Sequence, residues 1–457
     1  MKSMELEPTH ENVLKTLKNN ILDRNKDVWY FVSLCNEQEG NCTIALDAKW
    51  GSGKTFFVKQ AKMLMEAMNA ISNTLPDNER EEIKSIFSPY ARQNNEKREL
   101  SPQVCVYYDA WINDNDNDPI LSLIFEIVRS STVDYDFKGD IGYIKALTNL
   151  VDVCMGRNVT TFLESLKSKD PLKKLKEQKE IHIMVEEFLN DLLLDRGNRL
   201  VIFIDELDRC KPSYAVQLLE RIKHYFTNDR ITFVFSVNLE ELQHTIRHYY
   251  GEGFDASRYL NRFFDIRTSL PPTDMTRYYQ EIGFQYSSYL YEYTCKVVMD
   301  HYLLGMRDIE RYYRLVKIAA SKPAHDERIL KFSDEEGLQL LVCVIVPIMI
   351  GLQVVDIHSY NDFVNGKNPT PLLEIIETNK QLTEDFKHSL FTQAELEDNR
   401  NITNLDNRLH LLYEAIFMET ARSDGRYAKI GKLAVTRRTK EQLMRAVSML
   451  SKYASYE

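Results

Sequence analysis

From Ile44 to Thr55 the chain reads Ile-Ala-Leu-Asp-Ala-Lys-Trp-Gly-Ser-Gly-Lys-Thr, an apolar run entering a tight turn of small residues. These residue types at this spacing can hold a chain of phosphates. Gly51 and Gly53 let the backbone curl so that its N–H groups converge on an anion. The turn then opens a helix, whose N-terminus favours negative charge. Lys54 is spaced to reach β- and γ-phosphates, and the Thr55 hydroxyl to ligate Mg²⁺. The candidate cradle is Lys49, Trp50, Gly51, Ser52, Gly53, Lys54, Thr55 and Phe56. Ala48 stands where this pattern takes a glycine. An alanine held at positive φ costs roughly 1 kcal/mol or more, so the departure matters only if Ala48 takes that conformation.

A second segment supplies the complementary chemistry. Arg199-Leu200-Val201-Ile202-Phe203-Ile204-Asp205-Glu206 reads as a buried strand that stops at acids. A carboxylate at that end can hold nucleotide-borne Mg²⁺, and Asp205 is the candidate. Glu206 follows as candidate general base for an attacking water. Asn238 ends the strand expected beside Asp205. Its amide could meet a γ-phosphate or the water, or could cap the helix opening at Leu239. Arg262, with Arg258 as competitor, could project onto a neighbour's γ-phosphate as an arginine finger. Each could equally make a surface ion pair. Arg307, at the start of a helix in the C-terminal half, could carry nucleotide state to a helical domain or be an ordinary charged helix start.

Those residues need elements to place them. Residues 10–35 carry a mixed helical pattern, and Asn41 to Leu46 reads as the first core strand. A helix is expected over Thr55 to Ala70, and residues 72–102, with Pro76, Pro89 and Pro102, read as a loop-rich insertion. Val104 to Tyr108, Ile231 to Val237 and Phe263 to Arg267 are further strands. Helices are expected from Pro119, through the charged insertion 140–195, and from Ser213 to Tyr225. Beyond Pro271-Pro272 the pattern is helical almost to the end. Strands alternating with helices imply an α/β fold, a parallel sheet covered on both faces. Such sheets bind ligands at the carboxyl ends of their strands, where these polar residues fall. The expected division is a domain at 1–275 and a helical domain at 276–457.

Composition narrows the function classes. A chain of 457 residues allows a substantial core, and its net charge of −10 argues against a broad electrostatic grip on nucleic acid. The basic clusters Lys167 to Lys179 and Lys429 to Lys440 read as solvated helix faces. Seven scattered cysteines without a C-x-x-C pair suit a reducing, cytoplasmic location and no structural zinc. His244 and His248 lack a third ligand and read as exposed helix residues. The N-terminus has no apolar signal core. The apolar run Leu338 to Val355 has the length of a membrane span, yet Gln339, Gln353, Pro347 and its acidic flanks favour a buried helix.

Taken together, Trp50-Gly51-Ser52-Gly53-Lys54-Thr55, Tyr108-Asp109-Ala110-Trp111 and Phe203 through Cys210 resemble the KAP family of P-loop NTPases. Val234 to Asn238, Tyr250-Gly251-Glu252-Gly253-Phe254-Asp255, Arg258 through Asp265 and Leu270-Pro271-Pro272 continue the resemblance, which covers roughly residues 10–325. It implies a three-layer, additional-strand, catalytic-glutamate P-loop NTPase related to AAA+ and STAND ATPases, with an all-helical C-terminal domain. By position Lys54-Thr55 becomes Walker A and Asp205-Glu206 Walker B, with ATP and Mg²⁺ as ligands. Many relatives carry membrane helices between these motifs, and none is read here. A bacterial relative excludes phage, so antiviral defence is a role by analogy alone. Two functions compete: an ATPase driving assembly or remodelling, and a non-hydrolysing switch that recruits an effector. The partner is a second copy or another protein met through the helical domain. A nucleic-acid motor is disfavoured by the acidic balance and by basic clusters without interleaved aromatics.

Overall fold

The computed structural model describes residues 7–91, 100–116, 118–133, 197–270, 275–281, 290–320, 336–392, 405–418 and 427–447, with scattered positions between 186 and 193 and at 395. Nearly all of the insertion 140–195 and the pair Pro271-Pro272 lie outside the described residues. Contacts divide the chain into two units, Leu6–Tyr278 and Tyr279–Glu457, the latter joined by Met1–Glu5.

The first unit is built on five parallel strands: β1 (Cys42–Asp47), β2 (Gln103–Asp109), β3 (Arg199–Asp205), β4 (Ile231–Val237) and β5 (Ile266–Ser269). Their order is β2-β3-β4-β1-β5. The sheet therefore has a strand inserted between β1 and β3, as the family resemblance implies. All seven positions of β3 and of β4 are buried. Their side chains alternate between two cores, which is why Leu200–Ile204 and Phe233–Phe235 are continuous apolar runs. Val201, Phe203 and Val234 join Ile44 and Leu46 on one face. That face is covered by α1 (His10–Lys18), α2 (Asn25–Asn36), α3 (Lys54–Met68) and α4 (Asp77–Ala91). Leu200, Ile202, Ile204, Phe233 and Phe235 face the other way. There they meet α5 (Pro119–Val133), α6 (Pro212–Tyr225), α7 (Leu239–Tyr250) and α8 (Ala256–Leu260).

Register then fixes the working edge. Asp205 pairs with Asp109 on one side and with Ser236 on the other, while Asp47 pairs with Val237. The carboxyl ends of four strands are thus level.

Two elements differ from the sequence reading. Within 72–102 the chain forms α4 rather than a loop-rich stretch. Ile83 and Phe87, one turn apart, bury against the sheet's helical layer, and Phe87 stacks on Trp29 at 6.2 Å. Pro89 is tolerated because it falls in the last turn, where the Ser88 hydroxyl donates to the Ser85 carbonyl at 3.0 Å. The last strand begins at Ile266, not Phe263. The N–H groups of Phe263 and Phe264 turn back to the Leu260 carbonyl, and Phe264 packs edge-on against Phe235 at 5.4 Å. An apolar pair that reads as strand is a plug under β4.

The C-terminal unit is helical, and it also carries a hairpin of Tyr427–Ile430 and Leu433–Thr436 turned by Gly431 at φ +60. Lysines on this hairpin hid it within a pattern that reads as a basic helix face. The apolar run forms the helix Glu336–Val355, whose Leu340 to Ile350 are buried. A Cβ on Gly351 would stand 2.5 Å from Val298 Cγ1, so that helix lies close against Leu290–His301. Among the described residues no helix is long and apolar enough to cross a membrane.

Candidate nucleotide site

β1 delivers the loop. Gly51 and Gly53 stand at φ +76 and +86, backbone that any other residue would adopt at a cost. Ala48 is not among the positive-φ residues; its N–H donates to the Val237 carbonyl at 3.1 Å. The penalty anticipated for a non-glycine there does not arise. Ala48→Gly is therefore expected to leave nucleotide affinity and turnover within about twofold and to lower stability by up to about 1 kcal/mol. Parallel nucleotide titrations and thermal melts check this.

Lys54 is buried, and its ammonium donates to the carbonyls of Ala48 and, at 3.2 Å, Lys49. Burial lowers its pKa, while Asp208, Asp205 and Glu206 raise it. The ammonium thus bridges the loop and feels the acids of β3. Beneath the loop, Arg24 is 5% exposed and donates from Nη1 to the Ser52 carbonyl at 2.8 Å. Burial brings its pKa down to about 10, against the pull of Asp27. Its signal in the sequence is weak, because Arg24 shares the polar stretch between Ile21-Leu22 and Val28-Trp29 with Lys26. Thr55 and Phe56 occupy the first turn of α3.

On β3, Asp205 is 1% exposed and braced on both oxygens. Oδ2 accepts the Tyr107 hydroxyl at 2.9 Å and Oδ1 the Glu206 N–H at 3.1 Å. Burial first, then Asp205 and Asp109, push the Tyr107 phenol well up, so it remains a donor. Each carboxylate oxygen keeps a second acceptor site. Glu206 adopts φ +62, ψ +24, a left-handed turn unusual for a side-chain-bearing residue. Such strain belongs to functional turns. The Glu206 carboxylate pairs with Arg209 Nε. Asp208 accepts the indole N–H of Trp50 at 2.6 Å, and burial raises its pKa.

β4 contributes Ser236 and Asn238. Asn238 caps α7: its Oδ1 accepts Glu240 and Glu241 N–H at 3.1 and 3.5 Å. Asp47 Oδ1 takes the Leu239 N–H at 2.9 Å, a role the sequence did not signal. Along this edge Ser52 Oγ, Asp208 Oδ1 and Ser236 Oγ are buried with no hydrogen-bond partner among the described residues. Buried polar atoms are ordinarily satisfied, so these fit an edge that accommodates a polar ligand.

The fold thus brings Lys49 to Phe56, Asp205, Glu206 and Asn238 to one edge. It does not bring Arg258 and Arg262 there. Both are exposed, Arg258 on α8 and Arg262 in the turn after it. Arg262 lines a cavity of about 300 Å³ with Asn41, Thr43 and Asp265, at the amino ends of the strands. Arg307 is the second residue of the helix Met306–Ala320 in the C-terminal unit. His244 and His248 are exposed, and among the described residues no three metal-binding side chains converge. Hard oxygen donors, the Thr55 hydroxyl and the Asp205 carboxylate, fit Mg²⁺ brought by a nucleotide better than a resident metal.

Residues 29–319 match the KAP family P-loop domain. The chain belongs to the KAP family of P-loop NTPases. Every candidate residue from Lys49 to Arg307 lies inside the matched KAP segment, and Arg24 lies just before it. Among curated proteins the KAP chain is 24% identical to an uncharacterized protein of Methanocaldococcus jannaschii, over 27% of this chain and 84% of that protein. Among solved structures it is similar to the ORC2 protein of Aeropyrum pernix, determined in ADPNP and ADP complexes. That match has 12% identity, a TM-score of 0.28, and covers 88% of this chain and 94% of the other. Membership supports a nucleotide-binding NTPase.

Proposed function

We propose that this KAP protein binds ATP with Mg²⁺ and hydrolyses it, using the cycle to drive assembly or remodelling. The observation that carries the reading is the level edge of β1, β4 and β3, where Lys54 lies among Asp205, Glu206 and Asp208. Thr55 and Asp205 would hold Mg²⁺, which would neutralise charge on the phosphates. Lys54 exchanges loop carbonyls for β- and γ-phosphate oxygens. Glu206 takes a proton from water as the water oxygen bonds to the γ-phosphorus. The bond from that phosphorus to the β–γ bridging oxygen breaks, leaving ADP and phosphate. The Asn238 Oδ1 stays with the helix cap, and its amide nitrogen steadies the water or the phosphate. Arg258 or Arg262 serves a neighbouring copy, since neither lies at its own cradle. Arg307 couples nucleotide state to the helical unit. The buried free cysteines support a reducing, cytoplasmic setting. Antiviral defence remains a role by family analogy.

One observation favours a second reading. Glu206 is engaged by Arg209, as a non-hydrolysing, nucleotide-gated scaffold would require. Phosphate release titrated with Mg²⁺ separates the two. Under the ATPase reading, Asp205→Asn raises the Mg²⁺ requirement at least about 10-fold, since even loss of supporting partners costs that much. Release that is absent in wild type, or indifferent to Mg²⁺ and to Asp205→Asn, overturns it.

A further inference from the structure

Arg209 takes no part in the reaction above, yet three segments converge on it. Its Nε pairs with the Glu206 carboxylate, and both side chains are more than four-fifths buried. Its guanidinium carbon lies 5.5 Å from the Trp50 ring centroid and 5.6 Å from that of Trp111. Cation–π attraction holds a guanidinium in such a slot. The two tryptophans come from different places. Trp50 belongs to the phosphate loop, anchored through its indole N–H to Asp208. Trp111 follows the end of β2, where Ala110 N–H meets the Asp205 carbonyl at 3.0 Å. Both rings are about half exposed, so neither position is required by the core.

The chemistry of the pair is unfavourable to catalysis. A carboxylate accepting a charge-assisted bond from a guanidinium has a lone pair committed and its charge offset. A general base needs that lone pair on the water. Glu206 is therefore stored in this arrangement, and the left-handed backbone at Glu206 places it there. The store also touches the loop that must wrap the phosphates, through the Trp50 ring.

We propose that Arg209, seated between Trp50 and Trp111, is a positioning residue that withholds Glu206 until nucleotide fills the phosphate loop. The inference rests on the ATPase reading and adds its regulation. Filling the loop repositions Trp50, the slot opens, and the ion pair yields Glu206 to the attacking water. Basal turnover is low because the pair must open in each cycle.

The test measures kcat and KM for ATP in wild type, Arg209→Ala, Trp111→Ala, Glu206→Gln and the Arg209→Ala/Glu206→Gln double variant. Removing about 1 kcal/mol of pairing from the barrier is expected to raise kcat about fivefold in Arg209→Ala. KM stays within about twofold, and the double variant falls to the Glu206→Gln level. An arginine that merely supports the fold would lower kcat or leave it unchanged, and either result overturns the proposal. Silence in wild type overturns the ATPase reading, and the latch falls with it. If Arg209→Ala does not fold, Trp111→Ala decides, because removing a half-exposed ring leaves the core intact. A rise in its kcat supports the latch, and no rise removes it. Full turnover in Glu206→Gln is a separate result: another group then takes the proton, and Arg209 withholds no base.

Discussion

Glu206→Gln is expected to lower ATP turnover by about 10²–10⁴-fold, the usual contribution of a positioned general base, while ATP stays bound. Glutamine has the same shape and keeps the backbone contacts of this residue, whose N–H reaches the Ser236 carbonyl at 3.3 Å and Asp205 Oδ1 at 3.1 Å. What it loses is the proton acceptor. The left-handed conformation at φ +62 costs both side chains the same. The amide oxygen can still accept from Arg209, so the pair loses its charge but not its hydrogen bond, and a thermal melt showing a folded variant checks that the loss of turnover is chemical. The decisive comparison is kcat beside the stoichiometry of retained ATP. A variant that turns over within threefold of wild type would mean that another group takes the proton.

The second large effect is expected at Lys54. Lys54→Ala should weaken nucleotide binding by roughly 10²-fold or more, because each charge-assisted bond to a phosphate contributes about 1.5–3 kcal/mol and the ammonium can make two. The same change removes the bridge from α3 to the Ala48 and Lys49 carbonyls. It also relieves the cost of burying an ammonium, which already depresses the Lys54 pKa. These terms oppose each other in the folded state without ligand. Stability should accordingly shift by less than affinity does. Calorimetric titration of ATP against wild type and variant reads the affinity. Affinity unchanged in Lys54→Ala would place the phosphates elsewhere.

Both predictions concern residues that the chain announces locally. A glycine turn closed by Lys54-Thr55 and an apolar strand ending in Asp205-Glu206 are contiguous patterns, so periodicity and residue type were enough to find them. The insertion of β4 between their strands was implied by family resemblance. The parts that escaped are tertiary. Arg24 lies on α2's approach and reaches the loop only because α2 packs against α3. Tyr107 reads as one more β residue until the register sets its hydroxyl on Asp205. Asp47 looks like part of the loop, yet it caps a helix nearly two hundred residues away. α4 was obscured by three prolines and a polar surface, although Ile83 and Phe87 carried its core contact. The shift of β5 has the same cause. Phe263 and Phe264 satisfy an apolar pattern without joining the sheet. Arg209 gives no local signal, since its two aromatic neighbours follow the ends of other strands.

The most direct test of the central claim is phosphate release from ATP by wild type, Lys54→Ala and Glu206→Gln, with light scattering on the same samples. The account predicts Mg²⁺-dependent release by wild type and loss in both variants. It further predicts that Glu206→Gln, but not Lys54→Ala, retains ATP and accumulates as a larger assembly. Release that survives in both variants would contradict the account, because neither the cradle nor the strand-borne glutamate would then be carrying the reaction.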